Sequence, residues 1–168
     1  MKKILIAFIA LFVLNLGCKK MSDVDRLCAC SPISNAPYLS LVIKNTNGED
    51  LLNATTAGAF TKEKIQLYRK DASGAVKQID FGFRPPFSYG TNQLFNYNQL
   101  ISVEIGILAK SISDTFYLKL GDDKLYELNL KFNNGKLEKL LIDQQEAPLE
   151  INGTTNSSYV NTIYAMKI

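Results

Sequence analysis

The sequence predicts an all-β fold, an antiparallel β-sandwich that is immunoglobulin-like in the broad sense, with a β-barrel as the alternative. Three observations predict it. Beyond residue 38 apolar residues recur with a period of two in one short run after another, and Gly- and Asn-rich turn sequences separate the runs. No window of ten or more residues carries a convincing helical period. With 168 residues, 46% of them hydrophobic and 21% charged, the chain suits one ordinary domain with a sizeable core.

The elements follow in order. Leu39, Leu41 and Ile43 alternate with Ser40 and Lys44, and Ile65 and Leu67 flank Gln66. Ile79, Phe81 and Phe83 alternate with Asp80 and Gly82, and Ile101, Val103, Ile105 and Ile107 alternate with Ser102, Glu104 and Gly106. Phe116, Leu118 and Leu120, then Tyr126, Leu128, Leu130 and Phe132, continue the pattern. Each run predicts a strand with one buried face. Further strands are expected over 137–142 and 159–168. Asn47-Gly48, Ala72-Ser73-Gly74, Gly121-Asp122-Asp123 and Asn133-Asn134-Gly135 supply turns, the last two joining residues 114–142 into a three-stranded meander. Residues 50–60 have room for a short turn.

The N-terminus is an address rather than a part of the fold. Lys2 and Lys3 precede residues 4–16, in which Asn15 is the only polar side chain, and Gly17 and Cys18 follow. Such an n-region, h-region and small residue define a secretory signal over residues 1–17. Thirteen helical residues rise only about 20 Å, short of the roughly 30 Å hydrocarbon core, so a permanent span is the poorer reading. Leu16-Gly17-Cys18 resembles the lipobox of bacterial lipoproteins, in which the cysteine is diacylated and becomes the mature N-terminus. The family's usual leucine three residues before the cysteine is Asn15 here, with Leu14 beside it. Leu27-Cys28-Ala29-Cys30 has the same look, but Lys19, Lys20, Asp23, Asp25 and Arg26 leave no apolar stretch before it. Lipidation is therefore expected at Cys18, where each buried methylene contributes about 0.8 kcal/mol of membrane affinity. Lys19 does not resemble the aspartate linked to inner-membrane retention, so the resemblance implies the outer membrane. Asp23 and Asp25 after two lysines leave the periplasmic and cell-surface faces both open.

Residues 18–37 read as the lipidated cysteine and a flexible tether containing Ser22, Ser31, Pro32, Ser34 and Pro37, with a reach of roughly 25 Å. The sandwich domain is assigned to residues 38–168. Losing Lys2 and Lys3 leaves 17 basic against 16 acidic side chains, without the basic excess that a phosphate backbone requires. Nucleic acid is not an expected partner; the membrane, through Cys18, is. The segment 37–52, from Pro37-Tyr38-Leu39 to Asn47-Gly48-Glu49-Asp50-Leu51-Leu52, followed by Ile65 to Tyr68, is similar to the start of small uncharacterised lipoproteins of Gram-negative bacteria. That resemblance covers residues 1–70, implies a sandwich and brings no activity.

The chain contains no histidine. This removes the commonest general base, the commonest metal ligand and every Ser-His or Cys-His nucleophile, so no catalytic residue, metal or cofactor is expected. Cys28 and Cys30 are an oddity in an oxidising compartment. Their α-carbons in extended chain lie about 6.5 to 7 Å apart, at the limit for a disulfide, and a two-thiolate metal site needs further ligands such as Asp23 and Asp25. No chemical role, a strained disulfide and a metal or partner thiol are the alternatives. Asp122-Asp123 and Glu49-Asp50 lack the spacing of a calcium loop and sit where turns favour Asp.

Residues 81–97 hold Phe81, Phe83, Phe87, Tyr89, Phe95 and Tyr97, paired at a spacing of two that puts both rings of a pair on one strand face. Phe81 and Phe83 continue the Ile79 alternation and are expected in the core. Tyr89 and Tyr97, whose phenol tips suit a wet boundary, are the ligand-facing candidates, with Phe87 and Arg84 beside them. The expected function is a non-catalytic envelope lipoprotein that binds an envelope protein or polysaccharide or serves as a structural accessory. The alternative is a glycan-acting enzyme using Asp or Glu, which a convergent carboxylate pair in a deep cleft favours, whereas a shallow aromatic surface favours binding.

Overall fold

A computed structural model of the chain describes residues 37–90, 93–111, 115–133, 136–151 and 162–168. The expected signal peptide, Cys18, Cys28, Cys30 and the tether to residue 36 lie outside the described residues. What is described is an all-β, sandwich-like fold, and no sheet closes into a barrel.

One sheet grows from the meander anticipated in the sequence. β8 (Phe116–Leu120), β9 (Lys124–Asn133) and β10 (Lys136–Ile142) pair in succession, and β2 (Ile65–Lys70) and β3 (Val76–Gln78) extend β8 on its other side. β11 (Gln145–Glu146) closes the far edge, giving the order β11-β10-β9-β8-β2-β3. Alternation does its expected work here. Ile65, Leu67, Phe116, Leu118, Leu120 and Leu128 are buried on one face, with Ile65 opposite Leu120 and Leu67 opposite Leu118. On the outer face the directly paired Tyr68 and Tyr117 stack at 5.2 Å.

The second sheet is assembled from distant segments in the order β12-β13-β1-β7-β4, using β1 (Leu39–Lys44), β4 (Gly82–Arg84), β7 (Gln99–Ser102), β12 (Leu149–Ile151) and β13 (Ile163–Lys167). Its β1–β13 pair is parallel, Leu41 standing opposite Tyr164, within an otherwise antiparallel sandwich. Leu39, Leu41, Ile43, Leu100, Tyr164 and Met166 face the first sheet and form one core with it. Burial of this kind contributes about 25 cal/mol per Å² of apolar surface, which is why the two one-faced sheets associate.

β1 is nevertheless buried on both faces, since Ser40 and Val42 are as inaccessible as their neighbours. A third layer explains this. β5 (Phe87–Gly90) and β6 (Gln93–Phe95) form a hairpin that belongs to neither sheet, and Val42, Phe95, Ile151 and Ile163 make a second core around which Phe87, Tyr89 and Tyr97 pack.

Two expected strands need correction. The run 101–107 is not one strand, because β7 ends at Ser102 and α1 (Val103–Ser111) begins. The Ser102 hydroxyl accepts the Ile105 amide at 3.2 Å and donates to the Asp80 carbonyl at 2.6 Å, so it caps the helix and ties it to a neighbouring segment. Burial then follows a three- and four-residue spacing, with Ser102, Ile105 and Gly106 inside and Val103 and Ile107 exposed. The run 79–83 is not one strand either. Ile79 donates its amide to Leu67 in the first sheet, while Gly82 begins β4 in the second, so this segment crosses between sheets. Phe81 is consequently half-buried and Phe83 is 36% exposed, where the sequence suggested core positions.

Tyr164 links the two layers, with its hydroxyl donating to the Leu137 carbonyl at 3.4 Å and its ring only 1% exposed. Burial, assisted by the charges of Glu146 and Glu138, pushes its phenol up to about 12. The folded value lies above the ordinary value of 10.0, so this stability is complete below about pH 10 and is lost as pH rises through 12. An increment of about 2 to 3 kcal/mol is at stake. Urea denaturation at about pH 8, 10 and 12 should show wild type losing more stability over this interval than Tyr164→Phe; parallel losses would refute the assignment.

Candidate functional site

The structure gathers the four residues singled out in the sequence. Arg84 leaves the end of β4 with its guanidinium 3.9 Å from the Phe87 ring centre. Phe87 contacts Tyr89 at 6.0 Å and Phe95 at 5.6 Å, and Phe95 meets Tyr97 edge-on at 5.8 Å. Lys44 lies 3.8 Å over Tyr97 and pairs with Glu150 at 2.7 Å. Burial pulls the Lys44 ammonium down, but hydrogen bonds to Glu150 and Tyr97 outweigh it and hold its pKa above the lysine value. The rings of Tyr89 and Tyr97 are half-buried against the second core, so this cluster is a cap fastened over β1 rather than an open platform. In the same sheet as Val42, Gln99 is wholly buried and its Oε1 accepts the Ser40 hydroxyl at 2.8 Å, while its Nε2 has no partner among the described residues. Turning the amide over merely exchanges which atom is left unpaired.

A different surface offers room. Asp80, Phe81, Gly82, Phe83, Ile101, Val103 and Glu104 line an open depression of ≈ 370 Å³ at the edge of the five-stranded sheet. Phe81 and Phe83 lie 6.2 Å apart with ring planes tilted by 43°. Val103 is 39% exposed beside them, so an apolar floor faces solvent here. The Asp80 amide donates to Glu104 Oε2 at 2.6 Å, which brings two acidic residues to the same rim. The helix turn at Ser102 creates this arrangement, because it swings Val103 and Glu104 off the line of β7. Sequence reasoning missed the groove by continuing the strand. The signal available was Ser102 as a helix cap with Glu104 in the first turn, where a carboxylate suits the helix dipole.

The other candidate carboxylates resolve differently. Asp50 is buried, with Oδ1 accepting the Leu52 amide at 2.8 Å and Oδ2 accepting both the amide and side-chain nitrogen of Asn98 at 2.7 and 2.8 Å. It is a brace that the sequence reading did not foresee. Asp122 and Asp123 are exposed in the turn between β8 and β9. Among the described residues no three Cys, Asp or Glu side chains are grouped to hold a metal ion.

No family profile, no curated protein and no solved structure matches the chain. The site therefore has to be read from its own chemistry: two tilted rings, two aliphatic side chains, a bare glycine backbone and two carboxylates at an open sheet edge.

Proposed function

We propose that the chain is a lipid-anchored protein of the bacterial outer membrane, attached through Cys18, whose sandwich domain is a non-catalytic binding module. Its partner is another envelope macromolecule, protein or polysaccharide, held at the groove of β4, β7 and α1. The observation that carries the binding half of this reading is the solvent-facing Phe83 and Val103 in one depression with Asp80 and Glu104, since apolar surface gathered beside polar anchors is how recognition sites are built. The anchoring half rests on the sequence of residues 1–18. No helix among the described residues is long and apolar enough to cross a membrane.

The second reading, glycan hydrolysis by a carboxylate pair, draws on the same Asp80 and Glu104. Against it, Glu104 Oε2 is committed to the Asp80 amide and the groove is open to water, which favours recognition over acid-base work.

Both halves are tested in one strain series. Cys18→Ala should move the protein from the membrane to the soluble fraction, because the lipid is the only firm attachment proposed. A photoreactive residue in place of Val103 should form a discrete adduct with an envelope macromolecule in intact cells, and the same residue in place of the exposed Leu125 should not. A protein that stays membrane-bound and unprocessed both with and without Cys18 would overturn the anchor, and equal labelling at both positions would overturn the site.

A further inference from the structure

The β5–β6 hairpin covers the middle strand of the five-stranded sheet, yet its strands pair only with each other. A lone two-stranded hairpin is marginal in water, so side-chain packing is what keeps this one in place. That packing is small. Among the described residues the second core has four buried members, Val42, Phe95, Ile151 and Ile163, against nineteen in the core between the sheets. No described residue belongs to both clusters, so the hairpin can lift without opening the sandwich core.

The sheet face under this layer carries a polar flaw. The register that sets Leu41 opposite Leu100 puts Val42 opposite Gln99, and the Ser40 hydroxyl, donating to Gln99 Oε1, lies on that same outer face. Ser40 and Gln99 are 1% and 0% exposed, and Gln99 Nε2 has no partner among the described residues. A buried amide group without a partner is costly, and water removes that cost once the layer above it lifts. Two cations work the other way. Arg84 sits 3.9 Å from the Phe87 ring centre at the entry to β5, and Lys44, held by Glu150 at 2.7 Å, sits 3.8 Å from the Tyr97 ring just beyond β6. The chain on either side is fixed, Arg84 by its place opposite Gln99 in the β4–β7 ladder and Asn98 by its two bonds to Asp50. Pro85 and Pro86, exposed and without amide hydrogens, join Arg84 to the hairpin.

We infer that the β5–β6 hairpin is a lid that opens as one unit between the fixed points Arg84 and Asn98 while the sandwich stays folded. Gln99 biases it open, and the Lys44–Tyr97 and Arg84–Phe87 contacts latch it shut. Opening uncovers Val42, Ile151 and Ile163, an apolar face that is buried when the lid is down. None of the lid or latch residues lines the groove of β4, β7 and α1, so the device stands apart from the binding reading given above.

The experiment is native-state hydrogen exchange on the full chain in detergent micelles, comparing the ladder amides of β5 and β6 with those of β8 and β9. The lid amides should exchange at least about a hundredfold faster, with one shared opening constant. Leu118→Val, in the core between the sheets, should speed β8 and β9 about tenfold and leave the lid as it was. Ser40→Ala combined with Gln99→Met removes donor and acceptor together and should slow lid exchange about tenfold. Lys44→Gln, which releases the latch on Tyr97, should speed it by a similar factor. A lid that exchanges at the rate of β8 and β9, or that follows them in Leu118→Val, is part of one cooperative unit and would overturn the inference. Unchanged or faster lid exchange in the double variant would overturn it too, because the Gln99 amide would then have no part in opening the lid. An unchanged rate in Lys44→Gln would remove the latch.

Discussion

Asp50→Ala is expected to lower the unfolding free energy by about 3 to 5 kcal/mol, measured by urea denaturation at neutral pH. The carboxylate accepts three N–H groups, one from Leu52 in its own turn and two from Asn98 across 48 residues. A hydrogen bond to a charged group contributes about 1.5 to 3 kcal/mol, and the contributions of one shared carboxylate overlap. Removing the acceptor also leaves donors to be desolvated without a partner, so the loss exceeds what a surface aspartate would cost. Because Asn98 separates Tyr97 from β7, the aromatic cap should loosen with it, visible as increased exchange of the β5 and β6 amides. Asp50→Asn, which keeps one acceptor, should fall between wild type and alanine. A loss below about 1 kcal/mol in Asp50→Ala would show that the brace is dispensable.

Gly106→Ala should destabilise the domain by about 2 to 3 kcal/mol, against the direction that helix propensity predicts. In an ordinary helix interior alanine is better than glycine by about 1 kcal/mol. Here the new Cβ would run into the carbonyl oxygen and carbon of Pro37 and approach the α-carbon of Tyr38, all backbone atoms that cannot rotate aside. Either α1 moves off β1 or the entering chain does, and both loosen contacts around the fully buried Ile105. Gly82→Ala is the matched control, since a Cβ there meets nothing, and it should be neutral or slightly stabilising. A thermal melt of both variants decides the matter: stabilisation by Gly106→Ala would mean that the helix and Pro37 are not pressed together.

Several elements were legible because their signal is local. The runs at 39–43, 65–67, 116–120, 126–132 and 137–142 became strands, and 116–142 became the expected meander. Other elements had no such signal. The turn between β10 and β11 places Asp143 and Gln144 at φ values of 48° and 66° without a glycine, so the sequence offered no cue for β11. The Asp143 carboxylate holds the amide of Glu127 at 2.8 Å and its own amide bonds the Glu127 carbonyl, so β9 supports a turn that composition does not favour.

The site was half legible. Arg84, Phe87, Tyr89 and Tyr97 do meet, as their spacing suggested, but a layer of Val42, Ile151 and Ile163 from remote strands lies beneath them and turns the platform into a cap. The groove was hidden by an ambiguity at 101–107, where apolar residues at 101, 105 and 108 satisfy a helical period while 101, 103, 105 and 107 satisfy a strand period.

By itself the sequence determined the all-β class, the meander and the positions of β1, β2, β8, β9, β10 and β13, because alternation and turn residues act on the backbone within a few positions. Only the tertiary structure decided that β1 is covered on both faces, that β13 lies parallel to it, and that Val103 and Glu104 turn away to open a groove. The physical reason is the range of the interactions. Periodicity records which way neighbouring side chains point, whereas what covers them depends on partners such as Leu41 and Tyr164, or Ser102 and Asp80, whose meeting no local pattern encodes.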